Sequence, residues 1–179
     1  MPRLFVAIDL PEEMKKEIAG ISGNLPGARW VPGALLHLTL RFIGDVDEST
    51  LQAVKTALAM ARCLPFTLRL KGVGHFPPGK QPRVLWVGVE ESRPLLVLQK
   101  GVEAALIAAG IAPDERRFSP HITIARLKET PLPPVAAFEE RYGNFLAGPF
   151  PGGTFHLYSS TLTREGAIHT REATFPVPE

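Results

Sequence analysis

The feature that most constrains the fold is a segment pattern that occurs twice. In each copy a short apolar strand is followed by a helix and then by a strand in which apolar and polar residues alternate. The first strands read LFVAI and LWVGV, and the alternating strands read LLHLTL and SPHITI. The pattern predicts duplicated β-α-β units related by a pseudo-twofold axis, with approximate repeats 3–75 and 83–175, inside a single domain of residues 1–179.

Composition favours a compact protein in the cytoplasm. Hydrophobic residues make up 45% of the 179 residues, which is enough to bury a core. The lone cysteine, Cys63, has no partner for a disulfide within the chain, as is typical of a reducing compartment. We find no signal-peptide pattern and no apolar run of about 18 residues that would span a bilayer. We therefore expect a soluble cytoplasmic protein without membrane association, and a monomer as the simplest assembly.

Each alternating strand carries the motif His-x-Thr-x. Residues i and i+2 of a strand point to the same side, so His37 and Thr39 share one face and His121 and Thr123 do the same. The apolar residues between them are expected in the core. One such motif is common by chance, but two copies at equivalent places in a repeat favour a function. The pattern predicts a cleft in which two imidazoles and two hydroxyls meet.

Two histidines and two threonines suit the opening of a cyclic phosphate. Histidine titrates near neutral pH, so one ring can take a proton from water while the other protonates the departing ribose oxygen. The threonine hydroxyls can donate hydrogen bonds to the negatively charged phosphoryl oxygens. Because these groups supply acid, base and charge stabilisation, we expect neither a metal ion nor a cofactor.

The chain resembles the LigT-like 2′-5′ RNA ligases, RNA 2′,3′-cyclic phosphodiesterases of the 2H phosphoesterase superfamily. The likeness rests on RLFVAIDLP, HLTLRFIGDV, LWVGV and FSPHITIAR, and both His-x-Thr-x motifs are intact. It implies a bilobal α+β fold with antiparallel-rich sheets lining a central cleft. It also implies hydrolysis of RNA 2′,3′-cyclic phosphate ends or cyclic nucleotides to 2′-phosphomonoesters, and in some members reversible 2′-5′ joining of RNA ends.

The same resemblance suggests a role for each motif residue. By analogy His121 is the proton acceptor that activates water, and His37 is the proton donor to the leaving 3′-oxygen. Thr39 and Thr123 complete the catalytic set. RNA ends or cyclic nucleotides are the expected partners.

Further residues are candidates for substrate binding. Because the formal net charge is only +2, a polyanion has to be bound by a local cluster. Arg41 lies at i+4 from His37 and is expected on the same strand face, where it binds phosphate or is a surface arginine at the cleft rim. Arg126 lies on the opposite face from His121 if the strand is regular, yet the resemblance suggests a role for it. Aromatic candidates for stacking on a base, each with core packing as the alternative, are Phe5, Trp30 and Phe118.

One segment imitates a phosphate-binding loop. Residues 74–81 have the G-x-x-x-x-G-K spacing, but Gln81 stands where Ser or Thr would hold Mg²⁺, and two prolines remove backbone N–H donors. We predict a hairpin connection there and reject an ATPase. The remaining histidines, His75, His156 and His169, lack the i+2 threonine, and His169 is expected to be exposed near a turn.

Two other functions are compatible with the same cleft. A non-catalytic module would bind an AMP-like nucleotide, although such a module has no need for a proton-transfer pair. A metal site at His37 and His121 is the second alternative. Two histidines without a convergent cysteine or carboxylate are a poor zinc site.

Overall fold

The computed structural model describes residues 1–176. This part of the chain contains nine β-strands and four α-helices. The strands are β1 (Arg3–Asp9), β2 (Ala28–Trp30), β3 (His37–Asp45), β4 (Thr67–Phe76), β5 (Val84–Val89), β6 (His121–Leu127), β7 (Leu146–Pro151), β8 (Phe155–Thr163) and β9 (Gly166–Phe175). The helices are α1 (Glu12–Ala19), α2 (Glu48–Leu58), α3 (Arg93–Ala108) and α4 (Leu132–Tyr142). None of these helices is long and apolar enough to cross a membrane.

Local signals in the sequence explain where two of the helices begin. The Asp47 carboxylate accepts a hydrogen bond from the Thr50 N–H at 2.8 Å and so caps α2. Ser92 caps α3 in the same way, through the Leu95 N–H at 3.2 Å. Pro94 occupies the first turn of α3, where its missing N–H costs no helical hydrogen bond.

The strands form two antiparallel sheets over one continuous apolar core. The strand order is β3-β1-β8-β9 in the first sheet and β2-β6-β5-β4-β7 in the second. The helices form an outer layer, in which α3 packs against α2 and β3 while α4 packs against β4. The leucines and isoleucines of the two motifs, Leu38, Leu40, Ile122 and Ile124, all lie in the core. The predicted α+β class with antiparallel sheets is confirmed.

Each sheet takes strands from both halves of the sequence. β8 and β9 join β1 and β3, while β2 and β4 join β5, β6 and β7. The predicted repeats 3–75 and 83–175 therefore do not correspond to one sheet each. The single domain with two approximate repeats stays a prediction.

Two strands, β2 and β7, are not predicted by the hydrophobic pattern of the sequence. β2 is only three residues long, and β7 reads LAGPFP, whose glycine and prolines disfavour a strand. Both are edge strands, where proline is tolerated because one side of the backbone needs no partner. β4 and β5 pair as an antiparallel hairpin, which confirms the connection predicted near residues 74–81, although β4 itself continues to Phe76.

Candidate active site

Each motif histidine is held by the backbone two residues before it. His37 Nδ1 lies 2.7 Å from the Leu35 carbonyl oxygen, and His121 Nδ1 lies 2.7 Å from the Ser119 carbonyl oxygen. A carbonyl oxygen only accepts hydrogen bonds, so Nδ1 carries the proton in both neutral rings. Nε2 of each ring is left with a free lone pair that can accept a proton.

A β-bulge follows the threonine of the first motif. Along β1, Ala7 pairs with Thr39 but the preceding residue, Val6, pairs with Arg41, so Leu40 is an extra residue in β3. Leu40 and Arg41 are both buried on the core side. The alternation of faces is therefore reversed beyond the bulge.

The second motif has the same bulge at the same place. Trp86 pairs with Thr123 and Leu85 pairs with Ala125, so Ile124 is the extra residue in β6. Ile124 and Ala125 are buried, and the next residue, Arg126, is exposed. Arg126 thus lies on the same face as Thr123. The expectation that Arg126 lies on the face opposite to His121 is wrong, because it assumed a regular strand.

Arg41 does not lie in the cleft. Only 7% of the residue is exposed, and its Nε donates a hydrogen bond to a Glu103 carboxylate oxygen at 2.7 Å. Its Nη1 donates to the Phe42 carbonyl at 2.6 Å and its Nη2 to the Ala112 carbonyl. The expectation that Arg41 shares a face with His37 is wrong because of the bulge at Leu40. Arg41 instead ties β3 to α3 and to the segment that leads towards β6.

The two motif strands meet although they belong to different sheets. β3 and β6 contact each other directly. The pKa of His37 is lowered from 6.5 to about 4, mainly by burial; the charges of His169 and His121 act in the same direction, and the Leu35 carbonyl and Asp9 oppose them. His37 is therefore neutral at neutral pH in the free protein. The effect of His121 on His37 places the two rings within electrostatic reach of each other.

An aromatic ring packs against each motif histidine. The Phe5 ring lies 4.9 Å from the His37 ring, and the Phe76 ring packs edge-on against the His121 ring at 4.9 Å. Phe5 is only 4% exposed and also stacks on Tyr158, so its ring is packed in the protein interior. The expectation that Phe5 stacks on a substrate base is not compatible with this burial. Core packing, the alternative for Phe5, is what the structure shows.

Two other aromatic candidates lie away from the motif residues. Trp30 pairs across the sheet with the buried Ala125, and its ring packs against Phe138 of α4 at 6.1 Å. The ring is therefore on the helix side of the sheet, and the expectation that Trp30 stacks on a substrate is wrong. Phe118 is partly buried against the core, just before β6. Its role in binding stays a prediction.

A third histidine lines the cavity beside His37. His169 lies on β9, half-buried, with its ring 5.4 Å from the His37 ring, so the expectation that it is exposed near a turn is wrong. The cavity has a volume of about 460 Å³. At the edge of this cavity, Asp9 accepts hydrogen bonds from the Tyr158 hydroxyl and the Arg171 guanidinium, each at 2.5 Å. No motif in the sequence marked these residues, since β8 reaches the site only by pairing with β1, and β9 only by pairing with β8.

Groups able to hold a metal ion are not assembled in the described part of the chain. Among residues 1–176 no three His, Cys, Asp or Glu side chains converge in a way that would ligate one. Each motif histidine instead leaves its Nε2 without a backbone partner, and Thr39 and Thr123 are both partly exposed. These groups can transfer protons and donate hydrogen bonds to an anion.

Comparison with known proteins identifies the family. The sequence matches the model of the 2′-5′ RNA ligase superfamily over residues 10–164. The chain belongs to that superfamily. A Thermotoga maritima protein named RNA 2′,3′-cyclic phosphodiesterase is 35% identical and aligns with 93% of this chain and 91% of its own length. An Archaeoglobus fulgidus protein of the same name is 34% identical and aligns with 93% of this chain and 96% of its own length. The resemblance seen in the sequence is confirmed.

Solved structures in the superfamily share the fold. A crystal structure of a Thermus thermophilus protein superposes with a TM-score of 0.80 at 34% identity, covering 97% of this chain and 96% of that chain. E. coli LigT in its apo form superposes with a TM-score of 0.77 at 28% identity, covering 97% of this chain and 96% of LigT. LigT complexed with 3′-AMP gives 0.76 at 28% identity over 97% of each chain.

Proposed function

We propose that this protein hydrolyses RNA 2′,3′-cyclic phosphate ends to 2′-phosphomonoesters. The observation that carries the proposal is the matched pair of histidines, each anchored through Nδ1 to the carbonyl two residues before it. Both rings thereby offer Nε2 to the cleft between β3 and β6. The relatives named RNA 2′,3′-cyclic phosphodiesterase support the substrate class.

The reaction we propose needs one base and one acid. His121 Nε2 takes a proton from water as the water oxygen attacks phosphorus. The bond between phosphorus and the ribose 3′-oxygen breaks, and His37 Nε2 gives that oxygen a proton. The hydroxyls of Thr39 and Thr123 donate hydrogen bonds to the non-bridging oxygens, where negative charge accumulates.

The state of His37 constrains this assignment. Since the pKa of His37 is about 4 in the free protein, the ring has to gain a proton when substrate binds in order to act as the acid. The negative charge of the bound phosphate favours the imidazolium and raises the pKa of His37 in the complex. We therefore propose that substrate binding itself charges the donor.

Product analysis tests the activity. An oligoribonucleotide with a 2′,3′-cyclic end is incubated with the protein in EDTA, and we expect a 2′-phosphate to appear. His37→Ala and His121→Ala should each lower kcat by roughly 10²–10⁴-fold or more, with a cooperative thermal unfolding transition at neutral pH as the control for folding. A protein that binds the RNA and does not turn it over would instead be the non-catalytic nucleotide-binding module. Loss of activity in EDTA would contradict metal independence.

A modified leaving group tests the order of the two histidines. In a cyclic substrate whose 3′-oxygen is replaced by sulfur, the departing thiolate needs no proton because thiols are far more acidic than alcohols. We expect this substrate to restore most of the activity of His37→Ala and little of that of His121→Ala. Restoration of His121→Ala alone would assign the opposite order.

The same geometry allows joining of RNA ends. A 5′-hydroxyl takes the place of water, so the product is a 2′-5′ phosphodiester, and the two histidines exchange roles when that linkage is cleaved again. Incubating a cyclic-ended strand with a 5′-hydroxyl strand should give a longer product with a 2′-5′ junction. We further propose that the protein acts as a cytoplasmic monomer; light scattering at working concentration tests the assembly.

A further inference from the structure

Two aromatic side chains lie on the cleft face of the second sheet, beside His121. Trp86 of β5 pairs with Thr123, and cross-strand partners project from the same face of a sheet. Phe76, at the end of β4, packs edge-on against His121, and its ring lies 5.4 Å from the Trp86 ring. Both side chains are partly exposed, and neither belongs to the apolar core of residues 1–176 or to the side chains packed against it. Core packing therefore does not explain this aromatic pair.

The sheet leaves a place for the indole of Trp86. Gly74 of β4 pairs with Trp86, and a Cβ on Gly74 would collide with the indole ring. A Cβ on Gly88 would lie 3.2 Å from Cζ3 of the same ring. The indole therefore lies over the backbone of β4, where glycine leaves room for it. Its Nε1 is buried and makes no hydrogen bond within residues 1–176, so packing alone positions the ring.

The residue before Phe76 fixes the end of β4. His75 points to the opposite face of the strand, where its Nδ1 donates a hydrogen bond to the Glu139 carboxylate of α4. The Gly79 carbonyl oxygen lies 3.1 Å from His75 Nε2. These contacts hold the backbone that carries Phe76, so its ring is already in place before any ligand binds. A preorganised ring loses little conformational entropy when a ligand stacks on it.

The position of the aromatic pair relates it to the nucleophile. In the proposed reaction His121 takes a proton from the attacking oxygen, and His37 serves the leaving 3′-oxygen on the opposite side of phosphorus. Rings beside His121 therefore lie where the nucleophile enters, away from the nucleoside that carries the cyclic phosphate. Water gains nothing from an aromatic surface. A nucleoside that offers its 5′-hydroxyl does gain, since every base can stack on an aromatic ring.

We propose that Phe76, supported by Trp86, stacks on the base of an incoming 5′-hydroxyl nucleotide and so favours 2′-5′ joining over hydrolysis. As the 5′-oxygen bonds to phosphorus, its proton passes to His121 Nε2. The bond between phosphorus and the ribose 3′-oxygen breaks, and His37 Nε2 protonates that oxygen. This inference rests on the proposed function and gives it a second substrate, an RNA strand with a free 5′-hydroxyl.

A comparison of two acceptors tests the proposal. A cyclic-ended oligoribonucleotide is incubated with adenosine or with methyl β-D-ribofuranoside, which offers the same primary hydroxyl without a base. The ratio of 2′-5′-joined product to hydrolysed 2′-phosphate is measured at equal acceptor concentrations. The wild type should favour adenosine roughly tenfold, within the range for one stacked base. A wild type that joins both acceptors equally well would overturn the proposal.

Variants of Phe76 separate stacking from general damage to the site. Phe76→Leu should abolish the preference for adenosine, and Phe76→Tyr should keep it because the aromatic face remains. The matched control is Phe145→Leu, the same change at a partly buried phenylalanine packed against the core, and it should also keep the preference. Each preference compares two acceptors on one variant, so any general loss of His121 function cancels. An unchanged preference in Phe76→Leu would contradict stacking on this ring.

Binding measured without turnover separates this inference from the proposed function. The ligand is a 2′-5′-linked diadenosine whose 2′-linked sugar lacks its 3′-hydroxyl, so no cyclic phosphate can form from it. The reference ligand is the methyl diester of the same 2′-phosphate, which lacks the second nucleoside.

Calorimetry compares the two ligands. The wild type and Phe145→Leu should bind the dinucleotide roughly tenfold more tightly than the methyl ester, and Phe76→Leu should bind both alike. If the wild type neither hydrolyses nor joins RNA ends, the proposed function fails while this difference in affinity still reports the stacking. Equal affinities of the wild type for the two ligands would overturn the inference.

Discussion

Burial lowers the pKa of His37 to about 4, whereas a free histidine titrates near 6.5. The ring is enclosed by Phe5 and His169, and its Nδ1 is held by the Leu35 carbonyl. These neighbours position Nε2 for proton transfer, and the same enclosure removes the water that would stabilise the imidazolium. The enclosure of His37 therefore both positions Nε2 for catalysis and disfavours the imidazolium form of the ring.

The lowered pKa of His37 should be visible in the pH dependence of kcat/KM. The active form has one ring neutral and one ring protonated, whichever ring is the acid, and the doubly protonated form is inactive. The second proton enters only near pH 4, so kcat/KM should hold down to about pH 4 and fall about tenfold per pH unit below it. Initial rates at low substrate concentration measure this limb. An acid limb near the ordinary histidine pKa of about 6.5 would contradict the enclosed environment of His37.

Stability should depend on pH through the same residue. Between about pH 6.5 and 4 the unfolded chain binds a proton at residue 37 that the folded chain does not, so stability is lost as pH falls through this range. The loss amounts to about 2 kcal/mol between about pH 7 and 5 for this group. Urea unfolding of wild type and His37→Gln at about pH 7 and pH 5 isolates the contribution of His37. Between these two pH values we expect the variant to lose about 2 kcal/mol less stability than the wild type. Equal losses would show that His37 titrates normally.

The paired bulges decide which side chains the motif strands present to the cleft. Each bulge places the residue that follows it in the core and the next one on the cleft face. The cleft residues beyond the bulges are Phe42, which is 55% exposed, and Arg126. The residue turned inward in β3 is Arg41, which needs a buried partner. Glu103 of α3 supplies it, so the bulge and the ion pair belong to one arrangement.

Breaking this ion pair should cost stability. Burial acts to raise the pKa of Glu103, but hydrogen bonds from Arg41 and from the Asp114 N–H outweigh it and lower the pKa overall. Arg41→Met removes the main partner of a mostly buried carboxylate, and we expect a loss of about 3 kcal/mol at pH 7 by urea unfolding.

A second variant and the pH dependence check the cause of that loss. In Arg41→Met/Glu103→Leu no charge is left without its partner, so most of the stability should return. The pair stabilises the wild type above the ordinary carboxyl pKa of 4.5, and this contribution is lost as pH falls through the lowered pKa of Glu103. Wild type and Arg41→Met should therefore converge at acid pH. A double variant as unstable as Arg41→Met would contradict the ion pair as the cause.

At the scale of the whole molecule, the two sheets interlock the halves of the chain. The first sheet combines β1 and β3 with β8 and β9, and the second combines β2 and β4 with β5, β6 and β7. His37 and His121 are therefore positioned by sheets that neither half of the sequence builds alone.

Separating the halves tests this interdependence. Fragments 1–80 and 81–179 are divided in the connection between β4 and β5, where no strand is cut. Each fragment keeps some strand pairs but loses the partners that complete both sheets, so we expect neither to unfold cooperatively in urea, while an equimolar mixture recovers the circular dichroism of the intact chain. Cooperative unfolding of either fragment alone would show that the repeats are independent units.

The sequence by itself determined most of the elements, although not β2 and β7, and the reacting groups. Apolar periodicity and capping residues such as Asp47 and Ser92 are local signals. The positions of β5 and of the starts of α2 and α3 therefore follow from the sequence. His37 and Thr39, like His121 and Thr123, lie before the bulge in their strand. Their i, i+2 spacing therefore still places each pair on one face. These features depend on neighbours in the chain, which is why they are visible in it.

Only the tertiary structure decided what surrounds the reacting groups. The bulges depend on pairing with β1 and β5, so Arg41 turns to the core and Arg126 to the cleft against the simple alternation of a strand. Trp30 faces α4, and His169 reaches His37 because β9 joins the first sheet through β8. Such placements follow from contacts between segments far apart in the sequence. Periodicity within one segment carries no information about them.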